Sequence, residues 1–241
     1  MAKIKKCIDH RISKKKSQIP RLTASTIINL LGDCYGELEH ARRLDPAEEL
    51  VFTILSQHTS DTNSGRAFRR LMSEFGSLEE VAKGDVSRIT RAVSVGGLAR
   101  VKAPRIKQVL NLILNEQGNL DLTFLAELPL EEAKSWLMKL PGIGPKSAAV
   151  TLCFSLGMPA MAVDTHVHRV SKRLGLIGPK VNADRAHNIL ESMVDADDVY
   201  PFHTALITHG RRTCKAIKPR CGECPLAYGC PSYYLFSETE K

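Results

Sequence analysis

Leu140-Pro141-Gly142-Ile143-Gly144-Pro145-Lys146 separates a helical stretch ending near Lys139 from a strongly apolar one, Ser147-Ala148-Ala149-Val150-Thr151-Leu152-Cys153-Phe154. Two glycines bracketing one apolar residue allow a tight reversal in which successive backbone N–H groups point outward at the start of the next helix. Such donors at the positive end of a helix make a ready phosphate site. The stretch predicts a helix–hairpin–helix. A plain αα corner is the bland alternative, and the Leu-Pro before the turn and the basic residue after it favour the hairpin.

Lys146 is oddly placed for stability, because it falls in the first turn of the following helix, where the macrodipole disfavours a cation. The same field, together with burial against the apolar helix, is expected to favour the neutral amine. Only that form is a nucleophile able to make a Schiff base with an aldehydic carbon. The competing reading is a lysine reaching out to a phosphate.

Outward from the hairpin, apolar periodicity is helical wherever it is clear. Ala67, Phe68, Leu71, Met72 and Phe75 trace one face, as do Ile106, Val109, Leu110, Ile113 and Leu114, and Ala186, Ile189, Leu190, Met193 and Val194. Asp45-Pro46-Ala47-Glu48 sets an N-cap acid, an N1 proline and a capping-box glutamate ahead of the apolar run Leu50 to Leu55. Short Gly or Pro breaks recur near 76, 96–97, 118, 129, 141–144, 157–159 and 178–179, and no period-two pattern is convincing. The fold class read from these patterns is all-α, with about ten helices.

Composition bounds the rest. The chain has 241 residues, 43% apolar and 25% charged, enough for one large or two small domains with a sizeable core. No apolar run approaches the ~18 residues a membrane span needs. Residues 1–21 hold eight basic side chains against one acid, so nearly all of the net charge of +8 sits in this arm. Such an arm binds polyanions nonspecifically or is simply a solvated terminus. No apolar h-region follows it, and the expected location is the cytosol.

Ala162-Val163-Asp164-Thr165-His166-Val167-His168-Arg169-Val170 follows a Gly157-Met158-Pro159 break. Asp164 reads as an N-cap, worth ~1 kcal/mol. It also lies 18 residues after Lys146, room for one helix and a loop to return a carboxylate toward the amine, where it could deprotonate the amine or stabilise positive charge on a sugar. His166 and His168 are two apart and point ~200° from one another on a helix, which argues against a two-histidine metal site.

Seven cysteines in a reducing compartment are expected to be thiols or metal ligands. Cys214-x6-Cys221-x2-Cys224-x5-Cys230 packs four of them into 17 residues on a loop that holds Pro219, Pro225 and Pro231, a metal-binding pattern. Tetrahedral zinc and a 4Fe–4S cubane both accept four thiolates. Zinc sites more often show two paired C-x-x-C arms, and here there is one. Lys215, Lys218 and Arg220 lie between the first two cysteines, and Arg211 and Arg212 just before them. The metal would stiffen a basic loop able to meet a DNA backbone, the alternative being ordinary solvated charge.

With these pieces in this order, the chain resembles the endonuclease III family of the helix–hairpin–helix DNA glycosylase superfamily over roughly residues 25–232. The hairpin with Lys146 looks like that family's catalytic lysine hairpin, Val163-Asp164-Thr165-His166 like its catalytic aspartate segment, and the four-cysteine spacing like its 4Fe–4S site. The resemblance implies two helical domains after the arm of residues 1–21. Residues 46–158 would form a six-helix barrel domain containing the helix–hairpin–helix, and 22–45 with 159–241 a discontinuous iron–sulfur cluster domain. Ile54-Leu55-Ser56-Gln57-His58-Thr59-Ser60-Asp61 is similar to the segment whose side chain fills the hole left by an extruded base, with His58 where the family has glutamine. Gly97-Leu98 is similar to the loop whose leucine wedges into the opposite strand. Pro145 stands where a basic residue is usual, which removes one phosphate contact and suits a first helical turn.

The implied function is a base-excision-repair DNA glycosylase with AP lyase activity. Its partner would be double-stranded DNA holding a damaged base, by family default an oxidised pyrimidine, or an abasic site. Lys146 and Asp164 would be catalytic. Cys214, Cys221, Cys224 and Cys230 would hold the cluster. Gly142, Ile143, Gly144, Gln57, His58, Leu98, Lys215, Lys218 and Arg220 would contact DNA. A monomer without membrane partners is expected. The competing functions are a monofunctional glycosylase for mismatched or alkylated bases, which Lys146 disfavours, and a noncatalytic DNA-structure-binding module, which leaves Lys146 and Asp164 a coincidence.

Overall fold

The computed structural model describes residues 19–36 and 44–237, and the basic arm expected at 1–21 lies almost wholly outside them. Among the described residues every regular element is helical, as the periodicity predicts. Those residues form twelve α-helices with short 3-10 turns between them, slightly more than the ten expected. The chain divides into two compact units, one of residues up to His40 together with Met161–Lys241, the other of Ala41–Ala160.

In the Ala41–Ala160 unit, α2 (Pro46–Ser56) is almost entirely buried and packs on α8 (Pro145–Leu156), α3 (Asp61–Phe75) and α6 (Ala99–Gln117). Its start is the predicted capping box, with the Glu48 carboxylate accepting from the Asp45 N–H at 3.4 Å and Pro46 at the first helical position. α4 (Leu78–Lys83) and α5 (Val86–Ala92) lie on α6, and α7 (Leu130–Met138) lies against α8. The predicted faces of α3 and α6 supply the core: Ala67, Phe68, Leu71 and Phe75 from one, Ile106, Val109, Leu110 and Ile113 from the other.

In the other unit, α11 (Val199–Arg212) is the hub, with α1 (Ala24–Tyr35) and α9 (Thr165–Arg173) packed on it and α10 (Ala183–Glu191) beside α9. One expectation fails here. The periodicity places Met193 on one helical face with Ala186, Ile189, Leu190 and Val194, but α10 stops at Glu191 and Met193 is exposed, while Val194 still turns inward. The segment 213–232 runs as single 3-10 turns, Cys221–Glu223 and Ala227–Gly229, before α12 (Tyr233–Ser237).

Candidate active site and cluster segment

The hairpin forms as the two glycines require. The Ile143 N–H closes the turn onto the Leu140 carbonyl at 3.2 Å, and Gly142 sits at φ 78°, a conformation that L side chains rarely adopt. Ile143 is buried and pins the loop, whereas Gly142 is exposed. A methyl on Gly142 would fall 2.5 Å from the Arg105 guanidinium, so the turn rides directly on that side chain. Gly144 is the N-cap of α8 and offers no capping side chain. The free first-turn amides of α8 therefore point out of the hairpin, with Pro145 contributing none.

Lys146 stands in this first turn and is exposed. Burial against the apolar helix, expected from the run that follows it, is therefore corrected. Ser147, Ala148 and Ala149 take the inward positions, and residue 146 points to the outer side of the turn.

Asp164 precedes α9 and caps it, as read from the sequence. Its Oδ1 accepts from the N–H groups of both His166 (2.8 Å) and Val167 (2.7 Å), which leaves Oδ2 outside the cap. The buried extended segment before it is clamped by side chains that sequence reading passed over. The Met161 N–H donates to Glu191 at 2.8 Å, His187 Nδ1 lies 2.6 Å from the Met161 carbonyl, and His203 Nδ1 lies 2.7 Å from the Ala162 carbonyl. Both imidazoles are buried, and one clue was available, since His187 falls on the apolar stripe of α10 beside Ala186 and Leu190. His166 and His168 go separate ways, the first to Arg169 and the second to the Val181 carbonyl.

The two other predicted contact loops both carry strain. His58 is exposed at φ 53°, and Leu98 has φ 51° with 55% of its surface in solvent. A left-handed backbone is uncommon for any non-glycine residue and costly for a bulky one, so the half-exposed leucine is held there at a local cost. Gln57 is placed differently from His58. Its amide donates to the Gly142 carbonyl at 3.0 Å and accepts from Arg105 at 3.2 Å, which makes it a tie between α2, α6 and the hairpin.

Cys214, Cys221, Cys224 and Cys230 line one cavity of about 20 Å³, closed on other sides by Val170, Leu174 and Phe236. Among the described residues no three His, Cys, Asp or Glu come together closely enough to hold a single metal ion. Four sulfurs facing one mostly apolar cavity are a donor set that a metal–sulfur group accepts. Burial pushes the Cys230 thiol up to about 11 and the Cys224 thiol further, and the neighbouring sulfurs add to both shifts. Thiols so placed ionise only against a compensating cationic centre, which is the chemistry of a metal–sulfur site.

Protein donors reach the same sulfurs. Arg173 lies 3.4 Å from Cys214 Sγ, donates to the carbonyls of Lys215 and Ala216 and lies over the Phe236 ring. The buried His209 has Nε2 3.6 Å from Cys224 Sγ, and its Nδ1 lies 2.8 Å from the Tyr35 hydroxyl. Burial first, then Arg169, brings His209 down to about 4, so its imidazole is neutral near pH 7. Lys215, Lys218 and Arg220 are all exposed, with Lys218 at φ 50° and Arg220 3.8 Å from Glu223.

Comparison with known proteins agrees with this geometry. Residues 51–195 match the model of the HhH-GPD superfamily base excision DNA repair proteins, and residues 214–230 match the iron–sulfur binding domain of endonuclease III. The endonuclease III of Thermotoga maritima is 32% identical over 192 residues, covering 80% of this chain and 85% of that protein. The endonuclease III of Bacillus subtilis is 34% identical over 207 residues, covering 84% and 89%. The solved structure of a trapped endonuclease III–DNA covalent intermediate superposes with a TM-score of 0.76 at 26% identity, covering 95% of this chain and all of that one. The chain belongs to the HhH-GPD superfamily of base excision DNA repair proteins, and within it to the endonuclease III family. It is a DNA glycosylase with AP lyase activity whose cofactor is a 4Fe–4S cluster.

Proposed function

We propose that this chain acts as a monomer on duplex DNA, excises oxidised pyrimidines through a Schiff base on Lys146 and nicks the strand by β-elimination. The observation that carries the reading is the hairpin itself. An exposed primary amine stands on the first turn of α8, directly beside a glycine turn whose outward amides lack a capping side chain. Those amides suit a DNA phosphate, and a phosphate held there brings a sugar within reach of the amine.

A stacked base is inaccessible, so the nucleotide must leave the duplex at a cost of a few kcal/mol, least where damage has weakened pairing. Leu98 would wedge into the opposite strand and His58 would fill the vacated space. Lys146 Nζ would then attack C1′ while the C1′–N bond to the base breaks and the base leaves with the bonding pair. Asp164 would take the proton lost by the amine and stabilise cationic character on the sugar. Opening of the sugar gives an iminium, loss of a C2′ proton expels the 3′ phosphate, and hydrolysis returns the lysine.

Cys214, Cys221, Cys224 and Cys230 would hold the cluster, which supplies a rigid cationic core to the loop. Lys215, Lys218 and Arg220 would meet the DNA backbone from that loop. In this reading the Ala41–Ala160 unit is the barrel domain and the other unit the cluster domain.

Borohydride trapping on an abasic duplex and on a thymine-glycol duplex tests the assignment. Wild type should give a covalent adduct on both, and Lys146→Ala none, a loss of at least about 10⁴-fold. Asp164→Asn should keep the helix cap, since Asn caps as well as Asp, and lose about 10²- to 10⁴-fold in rate. An undiminished adduct with Lys146→Ala removes the lyase mechanism. An adduct on the abasic duplex but none on thymine glycol removes the lesion class alone.

A further inference from the structure

Lys102 has the one buried ammonium among the described lysines that meets only backbone carbonyls and pairs with no acid in the hydrogen bonds and ion pairs found there. It is 2% exposed, and its Nζ donates to the Leu55 carbonyl at 2.7 Å and to the Gly96 carbonyl at 3.0 Å. Burial lowers its pKa from the ordinary lysine range. An uncompensated buried cation is expensive, and two neutral carbonyls repay only part of that cost. A methionine would fill the same space without it.

The two acceptors belong to the two strained loops. Leu55 lies in the last turn of α2, just before Gln57 and His58, where helix carbonyls lack partners and the dipole favours a cation. Gly96 lies two residues before Leu98, and its carbonyl also accepts from the Thr59 hydroxyl of the His58 loop. Leu98 is in turn the N-cap of α6, its carbonyl taking the backbone N–H of Lys102 itself at 3.0 Å. One residue thus holds the Leu98 loop by main chain and side chain and the α2 terminus by side chain. Three positions further along the same face of α6, Arg105 reaches Gln57, which reaches the hairpin.

We infer that Lys102 is a positioning residue for base extrusion, joining the His58 turn and the Leu98 tip into one rigid device that enters the duplex as a unit. The inference rests on the reading of Leu98 and His58 as the invading side chains. Two flexible tips would each lose conformational freedom on insertion, whereas tips locked beforehand spend less of the binding free energy on ordering. Lys102 is far from the reacting amine in sequence and touches none of the groups assigned to chemistry, so its role is confined to steps that need the duplex opened.

Single-turnover trapping is compared on an abasic site within a duplex and on the same site in a single strand, which needs no wedge. For Lys102→Met the duplex rate should fall about 100-fold, the scale of an ångström-level misplacement, with single-strand trapping unchanged. Lys102→Arg should restore much of the duplex rate. Leu98→Ala should lower the duplex rate selectively, and combining it with Lys102→Met should add little, because the two act in one unit. An equal loss on both substrates, or fully additive effects, overturns the inference and leaves Lys102 a structural cap. A Leu98→Ala variant that handles both substrates like wild type removes the wedge reading and the inference with it. Should Lys102→Met fail to fold, Thr59→Val removes the other donor to Gly96 from a half-exposed position. It should shift the duplex to single-strand ratio in the same direction, and an unmoved ratio overturns the inference.

Discussion

The hairpin at 140–146 and the cluster segment at 213–230 are both glycine- and proline-bearing loops assigned to DNA, and they are held by opposite means. The hairpin is self-supporting: Ile143 is buried, the turn closes by its own backbone bond, and Gln57 and Arg105 brace it from below. The cluster segment has only two single 3-10 turns, and its four cysteines face one cavity. Among its protein-to-sulfur contacts, Arg173 lies 3.4 Å from Cys214 Sγ, His209 lies 3.6 Å from Cys224 Sγ, and Cys230 Sγ donates to the Arg173 carbonyl at 3.4 Å. A loop stabilised by packing keeps its shape whatever it binds, while a loop built around four thiols depends on the group they enclose. In this chain the proposed nucleophile sits on the first kind and the proposed electrostatic grip on the second.

The largest effect that could break this contrast is loss of the cluster. Cys224→Ser should abolish the visible iron–sulfur absorption and cost several kcal/mol of stability in the unit containing it, as removal of a structural metal site does. Amide exchange in 213–232 should rise toward that of an unfolded chain. The hairpin amides of 142–147 should keep wild-type protection, because none of their supports involves the cluster. If the hairpin loosened together with the cluster segment, the two loops would share one source of order and the comparison would fail.

A smaller effect works from the other side. Gly142→Ala asks an L residue to take φ 78° and drives its methyl against Arg105, whose guanidinium is tied to Gln57. The left-handed conformation costs about 1–2 kcal/mol, and displacement of Arg105 adds about 0.5–1.5 kcal/mol for the broken hydrogen bond. Thermal unfolding of the purified variant should move by that amount, and duplex binding should weaken while the absorption spectrum stays at wild-type intensity. A bleached spectrum in this variant would show the hairpin and the cluster to be coupled.

Most of the fold was legible because its signals are local. Periodicity located the cores of α3 and α6, and Asp45-Pro46-Ala47-Glu48 gave the start of α2 to the residue. Glycine and proline spacing gave the hairpin. The failures have the same root. Met193 continues the periodic pattern past the point where α10 ends, since the stripe records spacing and carries no stop signal at Glu191. The apolar run after Lys146 predicts burial, but exposure on a helix is set by azimuth, and one position decides it. Lys102, His187 and His203 were missed as polar residues on apolar stripes. Extending the α6 stripe back one turn from Ile106 lands on Lys102, so a charge at that register was the available clue. Each donates to at least one backbone carbonyl many residues away, as with His203 and Ala162, and no local pattern encodes such a pairing.

The finest distinction concerns charge alone. Lys218 is exposed on the cluster segment with φ 50°, so replacing it with a β-carbon-bearing residue poorly suited to that conformation would mix strain with lost charge. Asn tolerates the left-handed region better than most residues, so Lys218→Asn removes the cation with the backbone left in place. If Lys218 neutralises one phosphate, the slope of log affinity against log salt should become shallower by about 0.9. The single-turnover rate at saturating enzyme should not change, since a contact made equally in ground and transition states alters binding and not chemistry. The spectrum should also be unaltered, because the sulfurs and the Arg173 and His209 contacts do not involve this side chain. An unchanged salt slope would make Lys218 an ordinary solvated charge, and a changed chemical rate would mean that the cluster segment does more than grip.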